Sequence, residues 1–271
     1  MIIDAFTFFN EYDILAGRLE YLYNKVDYFV IVEANITHTG KPKPLNYLAN
    51  IHRYQRFIDK ILYFPIAIDS TEFNFNIKPT ECDFTAPQWL VENKQRNHIQ
   101  SALELFDNTA TVMISDVDEI PNLITLDNIV AHLSIERPAI TLAQDMFYYN
   151  LKQKQVNPWA GPVVTTNKYA KEKTPQWFRD NRWALPIASG GGWHFSYWGS
   201  PEQIQHKILN FAHQEYNTSV NSNIDTIKQR MAQGQDIYAR GDNPFIPVDI
   251  STLPVDIVNI FGNIKKTIDT S

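Results

Sequence analysis

The chain has 271 residues and a single cysteine, Cys82, so it can form no internal disulfide. Cys82 shows no metal-ligand spacing, which leaves it a structural role and suits the chain to a reducing compartment, with a cytoplasmic location expected. Blocks of Lys and Arg are absent, and the formal net charge is −6. No nucleic-acid or anionic-membrane surface is therefore expected, and an anionic substrate must be held by local groups or by a metal. No apolar run reaches the roughly 18 to 20 residues that span a bilayer, so the chain reads as soluble, without a transmembrane segment. Its N-terminus enters an apolar strand at once, Met1-Ile2-Ile3-Asp4-Ala5-Phe6-Thr7-Phe8-Phe9, with no basic leader and no small-residue cleavage site; it reads as fold, not signal. With nothing else pointing to secretion, the sequons Asn35-Ile36-Thr37 and Asn217-Thr218-Ser219 read as chance matches. Internal repeats, low-complexity segments and dividing linkers are missing too, so residues 1–271 are expected to form one domain.

What is present is a large core, 44% hydrophobic, and a stretch around which the chain is organised. Ala110-Thr111-Val112-Met113-Ile114-Ser115 is an apolar run that ends in Asp116-Val117-Asp118-Glu119-Ile120-Pro121. If the extended backbone persists, strand alternation turns Asp116 and Asp118 to one side and Val117 into the core. Two adjacent carboxylates repel, and a hard divalent cation, Mg²⁺ or Mn²⁺, is the usual relief. A lone D-x-D is also common where a solvated loop or a helix begins; the position at the end of a buried strand is what raises its weight.

Strands and helices alternate along the first half, the pattern of an α/β fold. After the first strand, Ile14, Leu15, Leu19, Leu22 and Tyr23 recur at helical spacing. Tyr28-Phe29-Val30-Ile31-Val32 is continuously apolar, as a parallel strand buried on both faces is, and ends at Glu33. Thr37 to Pro44 is a turn-rich loop with two lysines. A third strand, Ile61-Leu62-Tyr63-Phe64, is expected to stop at Pro65. Residues 69 to 87 form a long polar loop. A helix from about Gln88 to Phe106 carries a core stripe of Ile99, Ala102, Leu103 and Phe106, and its polar half holds Arg96, a possible phosphate clamp. Open α/β sheets bind ligands at the carboxyl ends of their strands, so Asn10, Glu33 and Asp116 are expected to share one crevice. The aromatics of Asp145-Met146-Phe147-Tyr148-Tyr149 suit either core or a sugar-stacking wall, and the strands between 151 and 186 are not resolved by periodicity. Gly190-Gly191-Gly192 permits close approach beside His194. Ser200-Pro201-Glu202-Gln203 has the side chains of a capping box and opens a helix through Ile204, Ile208 and Phe211.

Four of these stretches in order, Phe6-Thr7-Phe8-Phe9-Asn10-Glu11, Val32-Glu33-Ala34-Asn35 with Thr37 to Pro44, Ser115 to Pro121, and Gly192-Trp193-His194-Phe195-Ser196-Tyr197, resemble glycosyltransferase family 17, which includes a β-1,4-mannosyl-glycoprotein N-acetylglucosaminyltransferase. The resemblance implies a GT-A-type nucleotide-sugar-binding fold, a mostly parallel central sheet flanked by helices, with a nucleotide-binding half to about residue 125 and an acceptor-side half over about 126–271. It implies a divalent metal held by Asp118 and His194, Asp116 at ribose or metal-bound water, Asn10 and Glu33 at the uridine and ribose, and Arg96 near the diphosphate. The expected partners are a UDP-sugar and a glycan acceptor. Inverting transfer needs a general base, for which Asp145 is the first candidate, with Asp180 and Glu215 behind it. A silent glycan-binding protein using Trp159, Trp177, Trp183 and Trp198 is one alternative. A metal-dependent nucleotidyltransferase is another, weakened by the absence of a G-x-G phosphate loop at the first strand.

Overall fold

The computed structural model describes residues 1–76, 79–262 and 264. Its elements, in chain order, are β1 (Ile2–Thr7), α1 (Tyr12–Leu22), β2 (Tyr28–Ala34), α2 (Asn46–Ala49), β3 (Ile61–Ile66), α3 (Pro87–Asn97), α4 (Ile99–Leu103), β4 (Thr111–Asp116), β5 (Glu119–Pro121) and α5 (Leu123–His132). There follow β6 (Ala139–Tyr148), β7 (Gln153–Gln155), β8 (Trp159–Thr166), α6 (Asn167–Glu172), α7 (Pro175–Asn181), β9 (Ile187–Ala188), β10 (Gly192–Ser196), α8 (Pro201–Asn210), α9 (Ile224–Gln233), β11 (Phe245–Pro247) and α10 (Val255–Phe261).

The strands form one sheet in the order β11-β7-β6-β8-β4-β1-β2-β3, with β10 beside both β5 and β6, and β9 beside β6. From β4 to β3 the ladder is parallel. Beyond β4 it becomes mixed: β8 is antiparallel to β4 and to β6, while β10 runs parallel to β6 and antiparallel to β5. The parallel half has helices on both faces, which is why β2 reads as a continuously apolar run from Tyr28 to Val32. One core lies under α1, α5 and α10 around Phe6, Leu19, Met113 and Phe261; the other lies under α4, α6 and α7 around Val30, Leu103, Val112 and Phe178. Among the described residues no helix is long and apolar enough to cross a membrane.

Several elements differ from the pattern read in sequence. Strand β3 runs through Pro65 to Ile66, with Pro65 opposite Glu33. It is an edge strand with one ladder, so a missing N–H is tolerated there. The helix expected over 88–106 is two helices that meet at His98, whose N–H is shared between the Lys94 and Gln95 carbonyls at 3.2 and 3.1 Å. Its stripe of Ile99, Ala102, Leu103 and Phe106 is nevertheless core. Phe147, Tyr148 and Tyr149 are core as well, and no sugar-stacking wall. The capping box at Ser200 is formed, with both of its reciprocal hydrogen bonds.

Candidate active site

Strand β4 ends at Asp116, the chain turns over Val117 and Asp118, and β5 starts at Glu119. Extended backbone does not persist through the motif. Val117 is nevertheless buried in the core. What holds the turn is Arg18, fully buried on α1. Its Nη1 donates to the carbonyls of Asp116, Val117 and Glu119 at 3.1, 3.1 and 2.8 Å. Its Nε and Nη2 donate to the two oxygens of the equally buried Asp4 at 2.7 and 2.6 Å, and Nη2 also to Ser115 Oγ at 2.7 Å. Glu119 closes the turn from the other side. Its Oε2 accepts the Asp116 N–H at 2.9 Å, and its Oε1 accepts Trp159 Nε1 at 2.7 Å and Arg179 Nη1 at 2.8 Å. Glu119 is thus a buried brace, and the two aspartates are the groups presented to the crevice.

The aspartates meet different cations. Asp116 accepts from Arg96, and from Arg179 at 2.8 Å. Arg96 is buried on α3 and is aimed by Glu92 at 2.6 Å and Gln176 at 2.9 Å. Burial favours the protonated carboxyl of Asp116, but Arg179 and Arg96 outweigh it and hold the group well below the usual carboxylate range. Asp118 faces His194 Nε2 at 3.4 Å and Lys207 Nζ at 3.3 Å, and Lys207 also lies 3.9 Å from Glu11. Burial again pushes the Asp118 pKa up; Lys207 and His194 win and lower it. Nδ1 of His194 is buried without a hydrogen-bond partner among the described residues.

His194 reaches Asp118 through backbone. In the β5–β10 ladder His194 lies opposite Glu119 and Gly192 opposite Pro121, and the Phe195 N–H donates to the Asp118 carbonyl at 2.9 Å. Gly192 has φ +125°, and a Cβ there would stand 2.1 Å from the Ile120 carbonyl oxygen. Gly192 therefore admits the motif strand itself, and Gly191 the backbone of β6 at Ala143.

Arg182 lies 4.4 Å over the Trp159 ring, and its Nε and Nη1 are buried with no hydrogen-bond partner among the described residues. Burial, joined by the charge of Arg179, pulls its pKa down to about 9. A guanidinium keeps its proton in a protein, so an arriving anion is what would relieve that penalty.

Of the residues expected to share the crevice, Asp116, Asp118, Arg96 and His194 come together. Asn10 stands at the cleft with Glu11, Asp118, Tyr197 and Lys207. Its Nδ2 is 3.2 Å from His206 Nδ1. Two other expectations need correction. Glu33 is fully buried inside β2, and its oxygens are consumed by Lys43, by the Asn46 and Tyr47 N–H groups at 2.6 and 3.0 Å, and by Tyr63 at 2.9 Å. It anchors the 37–44 loop and the start of α2, with no oxygen left for a ribose. Asp145 lies opposite Trp193 in the parallel ladder, whereas Met146 lies opposite His194, so alternation turns Asp145 to the other face of the sheet, where Lys154 holds it at 2.8 Å. Asp180 is engaged by Gln176 at 2.8 Å. Glu215 sits with His213, outside this cluster.

Arg18, Arg179, Arg182, Lys207 and the brace Glu119 were not singled out in sequence. Two left a signal: Arg18 falls between Leu15 and Leu22 on the apolar stripe of α1, and Lys207 falls between Ile204 and Ile208 on that of α8. A charge on a core-facing stripe must find a buried partner. Arg179 and Arg182 lie where no periodicity is visible.

The chain thus sets paired acids at the end of a parallel strand of a mixed α/β sheet, with basic side chains about them. The chain belongs to glycosyltransferase family 17, whose model matches residues 1–253. No curated protein shows a significant match to it. Among solved structures, 4-diphosphocytidyl-2C-methyl-D-erythritol synthase from Anaerococcus prevotii is 8% identical, with 70% of this chain and 86% of that chain covered, at a TM-score of 0.39. The galactosyltransferase LgtC, solved with donor and acceptor sugar analogues, is 13% identical over 69% of this chain and 72% of its own, at 0.36. Glucosyl-3-phosphoglycerate synthase from Mycobacterium tuberculosis, solved with Mn²⁺, uridine diphosphate and phosphoglyceric acid, is 10% identical over 84% and 78%, at 0.35.

Proposed function

We propose that this glycosyltransferase is metal-dependent and inverting, and moves a sugar, N-acetylglucosamine, from a UDP-sugar to a glycan acceptor. The observation that carries the reading is the pairing of Asp118 with His194 beside a cluster of cations in which Arg182 has buried N–H groups with no partner among the described residues. Donors 3.4 Å apart suit one ion, because neighbouring ligands at ~2.1 Å on an octahedral centre lie roughly 3 Å apart. A carboxylate oxygen with an imidazole nitrogen suits Mn²⁺ better than Mg²⁺. Asp118 and His194 would hold that ion, which when bound supplies Lewis-acid stabilisation of the leaving diphosphate.

The chain's own groups do the rest. Asp116, already charged, keeps Arg96 and Arg179 pointed at the crevice. Arg182 has N–H groups to give to phosphate oxygens, and fork-shaped guanidiniums match such oxygens in pairs. Lys207, held by Asp118 and Glu11, adds a positive charge on the opposite wall. Asn10 offers an amide to the nucleoside. Asp145 takes no part, since it is on the other face of the sheet. The donor sugar and the acceptor class rest on the family resemblance, and the lone cysteine supports a cytoplasmic site of action.

Calorimetry with UDP and Mn²⁺, followed by donor hydrolysis across UDP-, GDP- and CMP-sugars, tests the reading. Metal-dependent UDP binding is expected, lost in Asp118→Ala at every metal concentration. Binding of UDP that ignores metal, or an active Asp118→Ala, would overturn it.

A further inference from the structure

Outside the crevice, three side chains from distant parts of the chain converge. Cys82 lies in the polar loop that leads into α3, and His213 and Glu215 lie in the connection that follows α8. A thiol sulphur, an imidazole nitrogen and a carboxylate oxygen all stand within 4.8 Å of one another. Glu215 is the second observation that points to a ligand. Its side chain is only 7% exposed, and while Oε1 meets His213 Nδ1 at 2.6 Å, Oε2 is buried with no hydrogen-bond partner among the described residues. A buried carboxylate oxygen left in this way is costly unless something arrives to satisfy it.

We propose that Cys82, His213 and Glu215 form a site for a zinc-class divalent cation that clips the loop before α3 onto the connection after α8. A sulphur, nitrogen and oxygen donor set selects Zn²⁺ over the harder Mn²⁺ or Mg²⁺ of a diphosphate site. Three protein ligands and one water make the usual tetrahedron. Ligands at ~2.0 to 2.3 Å from one ion lie roughly 3.5 Å apart, so the atoms now within 4.8 Å need only small shifts, and the thiol of Cys82 is exposed.

The surroundings prepare the contact. The His213 ring stands edge-on to Trp89 at 4.6 Å, and Phe84 packs on Trp89 at 4.9 Å. Ala86, Trp89 and Ala212 form a small apolar cluster beneath them. Trp89 is one turn before Glu92 and two before Arg96 on α3, while α8 carries Lys207. The clip would therefore tie together the two walls that bring Arg96 and Lys207 to the crevice. It does not depend on the sugar-transfer reading, because none of its ligands belongs to that cluster.

Cys82 is the chain's one cysteine, so a thiol reagent reads this site alone. With the full chain freed of metal, one equivalent of Zn²⁺ should slow modification of Cys82 by about tenfold or more, since a metal-bound thiolate is withdrawn from attack. A chelator should reverse the effect. Protection is expected to persist in Asp118→Ala and to vanish in His213→Gln and in Glu215→Gln, each checked by circular dichroism for an unchanged fold. Should either variant fail to fold, Co²⁺ replaces the test: the wild type should show a thiolate-to-cobalt charge-transfer band, absent in Cys82→Ser. No protection at stoichiometric Zn²⁺, protection that survives both His213→Gln and Glu215→Gln, or no cobalt–thiolate band would overturn the proposal.

Discussion

Replacing Arg18 by Met is expected to be among the most damaging single changes outside the crevice. The side chain is fully buried and so is its partner Asp4. Met retains the apolar stem and leaves the Asp4 carboxylate with no cation, while the carbonyls of Asp116, Val117 and Glu119 lose their donor. Removing one partner of a buried ion pair costs about 3 to 5 kcal/mol, a fifth or more of the ~5 to 15 kcal/mol that holds a typical domain. In urea, with a slope of about 3 kcal/mol per molar, the midpoint should fall by roughly 1 to 1.7 M. The double variant Asp4→Leu with Arg18→Met removes both charges and should regain most of the loss, because a buried pair exchanged for apolar side chains is often neutral. Donor binding should not return with stability, since the turn that presents Asp116 and Asp118 still lacks its anchor. A fall below about 1 kcal/mol, the worth of an exposed pair, or a double variant no better than the single one, would refute the reasoning.

Gly192→Ala should destabilise the chain by several kcal/mol, on the order of overpacking plus backbone strain, because φ is +125° and the new Cβ meets the Ile120 carbonyl; a thermal midpoint equal to wild type would contradict the packing of β10 on β5. Asp145→Asn should leave transfer within about twofold, as substitution away from chemistry does, and a loss of tenfold or more would bring Asp145 back as the base. The Asp116 and Asp118 pKa values are depressed in the folded chain. Their contribution is therefore complete above the unfolded value of about 4 and is lost as pH falls from there toward the folded values. Urea midpoints measured between pH 6 and 2 should drop in that window, and less so in Asp116→Asn.

Glu33 and Arg18 mark where pattern stops. Both are charges next to apolar runs. For Glu33 the strand-end rule pointed outward to a ligand, yet the 37–44 loop folds back to place Lys43, Asn46 and Tyr47 on its carboxylate. Arg18 broke an apolar stripe and drew no attention, because its partners lie at Asp4 and, 98 to 101 residues further on, in the turn after β4. His194 was legible as a candidate because glycines flank it, but that Gly192 admits the backbone at Ile120 is visible only when β10 lies against β5.

By itself the sequence settled what repeats locally: the buried strands β1, β2 and β4, the core faces of α1 and α4, the capping box at Ser200, and the acids placed at a strand end. Those features depend on the periods of strand and helix, which are properties of neighbouring residues. Tertiary structure alone decided which charges meet. It buried Glu33 and Glu119 as braces, turned Asp145 away, gave Asp116 to Arg179 and Asp118 to Lys207, and gathered Cys82, His213 and Glu215. A charge's role follows from what desolvates it and what lies within a few ångströms, and in this chain both come from segments far away in sequence.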